Sequence, residues 1–267
     1  MLRVNVLSLT AVAIMMIFCS SGQAQDAVLW FSFEGTGDVA TDSSGNGNNG
    51  TIVGATRVEG ANGQGQGIAL GLADNYVDVA IKLEQKGTIE FWFKPNWDGN
   101  APESYRLFDA GLGGIFWHIG KALGKDVVAP IENWHVDDFG FFFEDAIDTD
   151  EVVFVPAAGN IIADKWHHIA VTWDFESKLS VLYIDGAEVA NLTTGFQGFP
   201  AVKPTIRIGF NGGAGDRPAH NGADGVIDEF AIYHRTLSAG EIQMDMQKGA
   251  AVEPLHKLAT TWGEIRM

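Results

Sequence analysis

The stretch Gly225-Val-Ile-Asp-Glu-Phe-Ala-Ile-Tyr-His-Arg-Thr-Leu-Ser-Ala-Gly-Glu-Ile242 decides how the chain is read. Val226 to Tyr233 is rich in β-branched and aromatic residues and carries an acidic pair, Asp228 and Glu229. The run then changes character at Leu237-Ser238. Ser238 can accept from the open N–H groups of a helical turn, and Glu241 stands three residues on, where a capping box needs it. A strand that ends a β domain, followed by one short surface helix over Ala239 to Gln247, is the reading.

Working outward, the rest of the chain is punctuated as short strands. Val28–Phe33, Thr51–Val53, Gly67–Leu72, Tyr76–Val79, Thr88–Lys94, Arg106–Ala110, Ile115–Ile119, Phe139–Glu144 and Val152–Val155 are predicted as strands, as are Trp166–Trp173, Leu179–Ile184, Ala187–Ala190 and Thr205–Gly209. Ile89, Phe91 and Phe93 alternate onto one face of their strand, and Trp92 falls on the other, so both faces of that strand are expected to be covered. Asp185-Gly186 is a hairpin signal. With 33 glycines, 17 phenylalanines and eight tryptophans in 267 residues, the chain has turns and core material for a single sandwich domain.

Residues 1–24 read as a signal peptide: Arg3 is the positive end, Val4 to Phe18 is the apolar run, and Gly22 and Ala24 flank a cleavage site. Cys19, the only cysteine, lies inside this segment, so a processed chain has no disulfide. The domain is expected over 25–248 and a tail over 249–267. A secreted or extracytoplasmic location and no stable membrane insertion follow from this reading. The formal charge is −17, and removal of Arg3 leaves 16 basic against 34 acidic residues, or −18. Such a surface repels phosphate backbones and anionic membranes, so nucleic acid is excluded as a partner class.

Five segments together resemble the laminin-G-like jelly-roll family of the concanavalin A-like lectin/glucanase superfamily. They are the loop Asp42–Gly50, the aromatic strand Thr88–Pro95, the strand Trp166–Asp174, the hairpin strand Leu179–Gly186, and Gly225–Ile242. The resemblance implies an all-β, two-sheet antiparallel jelly-roll sandwich with one short C-terminal helix and with its first and last strands side by side. It also implies a non-catalytic binding module for a glycan or an extracellular protein. A glycoside hydrolase or polysaccharide lyase on the same fold, or a structural or adhesive envelope module, are the alternatives. Gly120 to Asp138 departs from the short hairpins of the family and reads as an insertion.

Calcium takes six to eight oxygens from carboxylates and loop carbonyls. Glu34, Asp42, Asn46 and Asn48 lie in one Gly- and Asn-rich loop, and Asp228 would join them if the terminal strands are neighbours, as the resemblance implies. One structural calcium ion is therefore expected. Trp117, Trp134 and His135 are the candidate sugar-stacking residues, in or beside the insertion. No catalytic residue is assigned. Glu144 to Glu151 is an acidic run whose spacing fails the paired-carboxylate pattern of a glycosidase, and it reads as a solvated loop. His167 and His168 point to opposite faces of a strand and cannot hold one ion together; one packed and one surface histidine are expected. Asn49-Gly-Thr51 and Asn191-Leu-Thr193 fit the N-glycosylation sequon.

Overall fold

The computed structural model describes residues 26–72, 74–111, 117–121, 137–147, 150–193, 195–202, 204–210 and 222–249. Sixteen strands and one α-helix are found among them. The strands are β1 (Leu29–Phe31), β2 (Val39–Ala40), β3 (Gly50–Val53), β4 (Thr56–Glu59), β5 (Gln66–Leu70), β6 (Tyr76–Ala80), β7 (Lys86–Pro95) and β8 (Tyr105–Asp109). They continue as β9 (Trp117–Lys121), β10 (Asp138–Glu144), β11 (Asp150–Pro156), β12 (His167–Asp174), β13 (Leu179–Ile184), β14 (Ala187–Thr193), β15 (Thr205–Ile208) and β16 (Gly225–Tyr233). The helix is α1 (Ala239–Gly249). No helix among the described residues is long and apolar enough to cross a membrane.

The strands form two antiparallel sheets. Sheet A runs β14-β13-β12-β7-β16-β5-β4, with β1 also paired to β16. Sheet B runs β11-β10-β9-β8-β15-β6-β3-β2. The expected closure is present: Leu29, Trp30 and Phe31 pair with Ile232, Ala231 and Phe230. Inward residues of both sheets fill one aromatic core. Ile89, Phe91, Phe93, Ile169, Val171, Trp173, Phe230 and Ile232 from sheet A meet Phe108, Trp117, Ile119, Phe141, Phe143, Ile206 and Ile208 from sheet B. Trp117 and Trp173 meet edge to face across the layers, at 5.1 Å and 88°.

Local chemistry explains the joints. Asp185 and Gly186 both take positive φ, 52° and 75°, as a two-residue hairpin needs. Ser238 and Glu241 form the anticipated capping box: the Ser238 N–H donates to Glu241 Oε2 at 2.8 Å, and the Glu241 N–H donates to Ser238 Oγ at 3.3 Å. The short β2 and β4 escape the sequence pattern, because β2 has two residues and β4 (Thr-Arg-Val-Glu) is an edge strand with no buried position.

Three expectations are corrected. His168 is buried like His167, because Trp92 packs edge-on against it at 5.3 Å and Glu90 lies beside it. Glu144 and Asp145 are buried rather than solvated; Asp145 accepts from the N–H groups of Ile147 and Gln197, at 2.9 Å each. Trp117 is a fully buried core residue, 0 % exposed, ringed by Phe141, Phe143, Phe199 and Trp173, so it has no face to offer a sugar. Trp134 and His135, the expected signal segment at residues 1–24, most of the expected insertion and the tail after Gly249 lie outside the described residues.

Candidate functional site

The predicted calcium residues do not form one shell. Asp42 lies where the loop returns to β1, and its carboxylate accepts three backbone N–H groups: Trp30 at 3.1 Å, Ser44 at 2.9 Å and Asn48 at 2.8 Å. Those bonds hold its pKa below the usual value despite partial burial. Asn46 and Asn48 aim their amide nitrogens at the two residues just before β1 rather than their oxygens at an ion. Asn46 Nδ2 donates to Ala27 O at 2.9 Å, and Asn48 Nδ2 donates to Val28 O at 2.7 Å. Hydrogen bonds thus fasten the loop to the first strand.

Glu34 and Asp228 are brought together elsewhere, against the Gly60–Gly65 turn. Asp228 Oδ2 accepts from the Ala61 N–H at 2.8 Å, and Glu34 Oε1 accepts from the Gln66 N–H at 2.8 Å. A Cβ on Gly60 would collide with Gln64 O and Asp228 Oδ2, and one on Gly65 with the Glu34 carboxylate. Burial, with Glu229 and Glu34 nearby, pushes Asp228 up to about 8. Glu229 sits on a β-bulge with φ 50° and accepts from Trp30 Nε1 at 2.5 Å. Burial raises its pKa too, against that bond. Among the described residues, no three His, Cys, Asp or Glu side chains form a metal-holding group.

A different constellation crosses the outer face of sheet B. Register pairs Asp78 with Arg207, Arg207 with Asp109, Asp109 with His118, and His118 with Phe142. These five residues come from β6, β15, β8, β9 and β10, and none belongs to the core cluster, whose members flank them in each strand. They therefore point away from sheet A. With strands about 4.8 Å apart, the row spans roughly 19 Å.

The row has an aromatic end, a charged end and a second aromatic group. His118 stacks on Phe142 at 5.0 Å and 22°. Arg207 donates to both Asp78 oxygens, from Nε at 2.7 Å and from a terminal nitrogen at 2.8 Å. Its guanidinium lies 3.8 Å from the Tyr76 ring, which stacks on Phe210 at 6.0 Å. The bond to Asp78 raises the Arg207 pKa further. Arg207 and Asp78 keep 24 % and 29 % of their side-chain exposure, whereas Asp109, His118 and Phe142 are 3 %, 8 % and 5 % exposed. Two glycines, Gly120 and Gly140, are register partners on the same outward face, between Arg106 and Phe154. Both are buried, and a Cβ on either would collide with the neighbouring strand, at Tyr105 O for Gly120 and Val153 O for Gly140. Sequence reasoning missed the row because its members lie on five strands; the only local signal is the alternation of each strand.

A laminin-G-type family model, described as the concanavalin A-like lectin/glucanases superfamily, matches residues 62–243. The chain belongs to that superfamily. No curated protein matches this laminin-G-like chain by sequence. Among solved structures, it is similar to the binding domain of botulinum neurotoxin serotype D, with TM-score 0.62 and 13 % identity over 84 % of this chain and 52 % of that one. The binding domain of Paraclostridial Mosquitocidal Protein 1 gives TM-score 0.62 and 19 % identity over 84 % and 52 %. The binding domain of botulinum neurotoxin DC in complex with SialylT gives 0.62 and 15 % over 85 % and 52 %. The laminin-G-like chain spans about half the length of these structures, and at such identities the likeness is one of fold.

Proposed function

We propose that this laminin-G-like domain is a non-catalytic recognition module working outside the cytoplasm, and that it takes an uncharged glycan at the partly exposed Arg207–Asp78 end of the outer row of sheet B. The single observation that carries the reading is the partly exposed end of the row, where Arg207 forks onto Asp78 and lies 3.8 Å from the Tyr76 ring, itself stacked on Phe210; Asp109, His118 and Phe142 continue the row as buried residues behind it. Aromatic faces suit the apolar side of a sugar ring, and fixed polar groups suit its hydroxyls. Arg207 already has its fork on Asp78 and a second carboxylate, Asp109, beside it, so the row holds no surplus positive charge for a uronate or sulfate. The chain's acidic balance acts in the same direction. The binding-domain character of the structural neighbours, one of them in complex with SialylT, supports recognition as the role.

A glycan array beside a polysaccharide-release assay tests this. Binding to neutral glycans, lost in Arg207→Ala with the fold intact, is the expected result. A folded protein silent on every neutral glycan would sink the reading and favour a protein or envelope partner. A catalytic reading draws on Asp109 and His118, a carboxylate and an imidazole that are direct register partners. Polysaccharide release that depends on both would replace recognition with cleavage.

Calcium belongs to this proposal only at the Gly60–Gly65 turn. The five-residue shell does not fit, since Asp42, Asn46 and Asn48 are committed to the backbone. Glu34 and Asp228 remain as two carboxylates against one turn, and the raised pKa of Asp228 means that a divalent cation there would compete with a proton.

A further inference from the structure

Helix α1 lies on the outer face of sheet A, opposite to the row just described. Leu237 and Ile242 pack there with Ala170, Val181, Tyr183, Ala231 and Tyr233. Gln243 Nε2 donates to Gly186 O at 3.1 Å, and Met246 lies against the same glycine. Beneath the helix sits one carboxylate that the fold has no ordinary reason to bury. Glu90 on β7 has Ala170 and Ala231 as its cross-strand partners, so two small side chains leave it a notch, and it is only 3 % exposed.

The Tyr233 hydroxyl lies 3.2 Å from Glu90 Oε1 and 3.4 Å from Asp245 Oδ2 of α1. One hydroxyl hydrogen cannot serve two carboxylates fully, so the Tyr233 hydroxyl brings two carboxyl groups to one buried point with a single donor between them. We propose that this contact is a proton-held latch: α1 stays seated on sheet A while Glu90 and Asp245, on either side of the Tyr233 hydroxyl, hold one proton in common, and it lifts when that proton leaves to solvent.

The groups facing Glu90 support this. From β12 comes His168, whose Nε2 is 4.0 Å from Glu90 Oε2 and whose Nδ1 has no partner. Burial lowers the pKa of His168 to about 4, so it is neutral and brings no compensating charge. From β7 comes Trp92, whose Nε1 is also unpartnered, as is Glu90 Oε2 itself. From β16 comes Tyr233, its ionisation raised by burial and by both carboxylates. From α1 come Asp245 and Lys248, which pair at 3.0 Å. Lys248 is the one cation in the set, and it is half-exposed and engaged by Asp245. Burial first, and then Asp245, hold the Glu90 carboxyl well above its ordinary range. A carboxyl with a raised folded pKa is stabilising below its unfolded value and loses that contribution as pH rises through the folded one, so the latch opens towards alkaline pH.

The test uses the full chain with Cys19→Ser, so that Met244→Cys on the exposed side of α1 carries a unique spin label. Ser177→Cys, in the β12–β13 turn, carries the control label. The label on α1 should be immobilised at about pH 5 and gain a severalfold larger mobile fraction by about pH 9. The control label should not change. Glu90→Gln keeps the shape without the ionisation, and should stay immobilised throughout; Asp245→Asn is the second variant, with the same expectation. Unchanged wild-type mobility between the two pH values would overturn the latch. So would a Glu90→Gln or Asp245→Asn protein that follows the wild type, or a control label that loosens in step.

Discussion

Arg207 and Asp78, 129 residues apart, meet through two hydrogen bonds of 2.7 and 2.8 Å, with the guanidinium carbon 3.8 Å from the centre of the Tyr76 ring. The pair is half-buried and faces away from the core. Its orientation is fixed by a fork on a carboxylate and a ring beneath it, which is the geometry a hydroxyl-binding group needs.

Arg207→Ala should therefore harm binding more than stability. A pair this exposed contributes about 1 kcal/mol or less, which is a shift of about 2–4 °C in melting temperature for a domain this size. Affinity for a neutral glycan, measured by calorimetry, should fall by about tenfold or more, as expected for loss of a charge-assisted contact. Arg207→Lys should not restore it, because a point charge does not reproduce the fork.

Trp30 and Glu229 give a test of the closing strand. Trp30→Phe keeps most of the ring but removes the N–H that donates to a mostly buried carboxylate. Urea denaturation should show a loss of about 1–3 kcal/mol, the cost of a buried acceptor without its donor.

Asp228 sets a slope of stability from acidic pH to about pH 8. Its folded pKa is about 8, against an ordinary value of 3.8. The folded state therefore holds this proton more tightly than the unfolded state. The stability it provides is complete below the unfolded value and falls as pH rises towards about 8. Thermal melts should drop between those limits, and Asp228→Asn should flatten the drop. Calcium added near neutral pH should raise the melting temperature of the wild type, and excess chelator should reverse it. Identical melts with and without chelator would remove calcium from the account.

Trp117 separates core from ligand contact. Trp117→Ala should cost about 3–5 kcal/mol in denaturant unfolding through the cavity it leaves. Glycan addition should leave the environment of this buried ring unchanged, whereas a sugar-stacking tryptophan would respond by fluorescence.

Most strands were legible because each alternates or carries β-branched and aromatic runs, as Thr88–Lys94 and Val226–Tyr233 do. The capping box at Ser238 and the hairpin at Asp185-Gly186 were legible for the same reason: their causes lie within four residues. β4 was not, since an edge strand with exposed side chains has no hydrophobic period to display. The burial of His168 was not, since part of what surrounds it comes from β7. Asp145 read as solvent-facing by composition, yet its partner Gln197 arrives from 52 residues away.

The sequence by itself determined the two-layer β architecture, the family and the pairing of chemistry to each strand, because side-chain alternation and turn residues act over a few bonds. Tertiary structure alone decided which of those side chains meet. It divided the expected calcium ligands between two places, sent Trp117 into the core, set Glu90 beneath α1, and aligned Asp78, Arg207, Asp109, His118 and Phe142 in one row. The physical reason is strand register: a row across a sheet is written in residues far apart along the chain, and only backbone pairing brings them side by side.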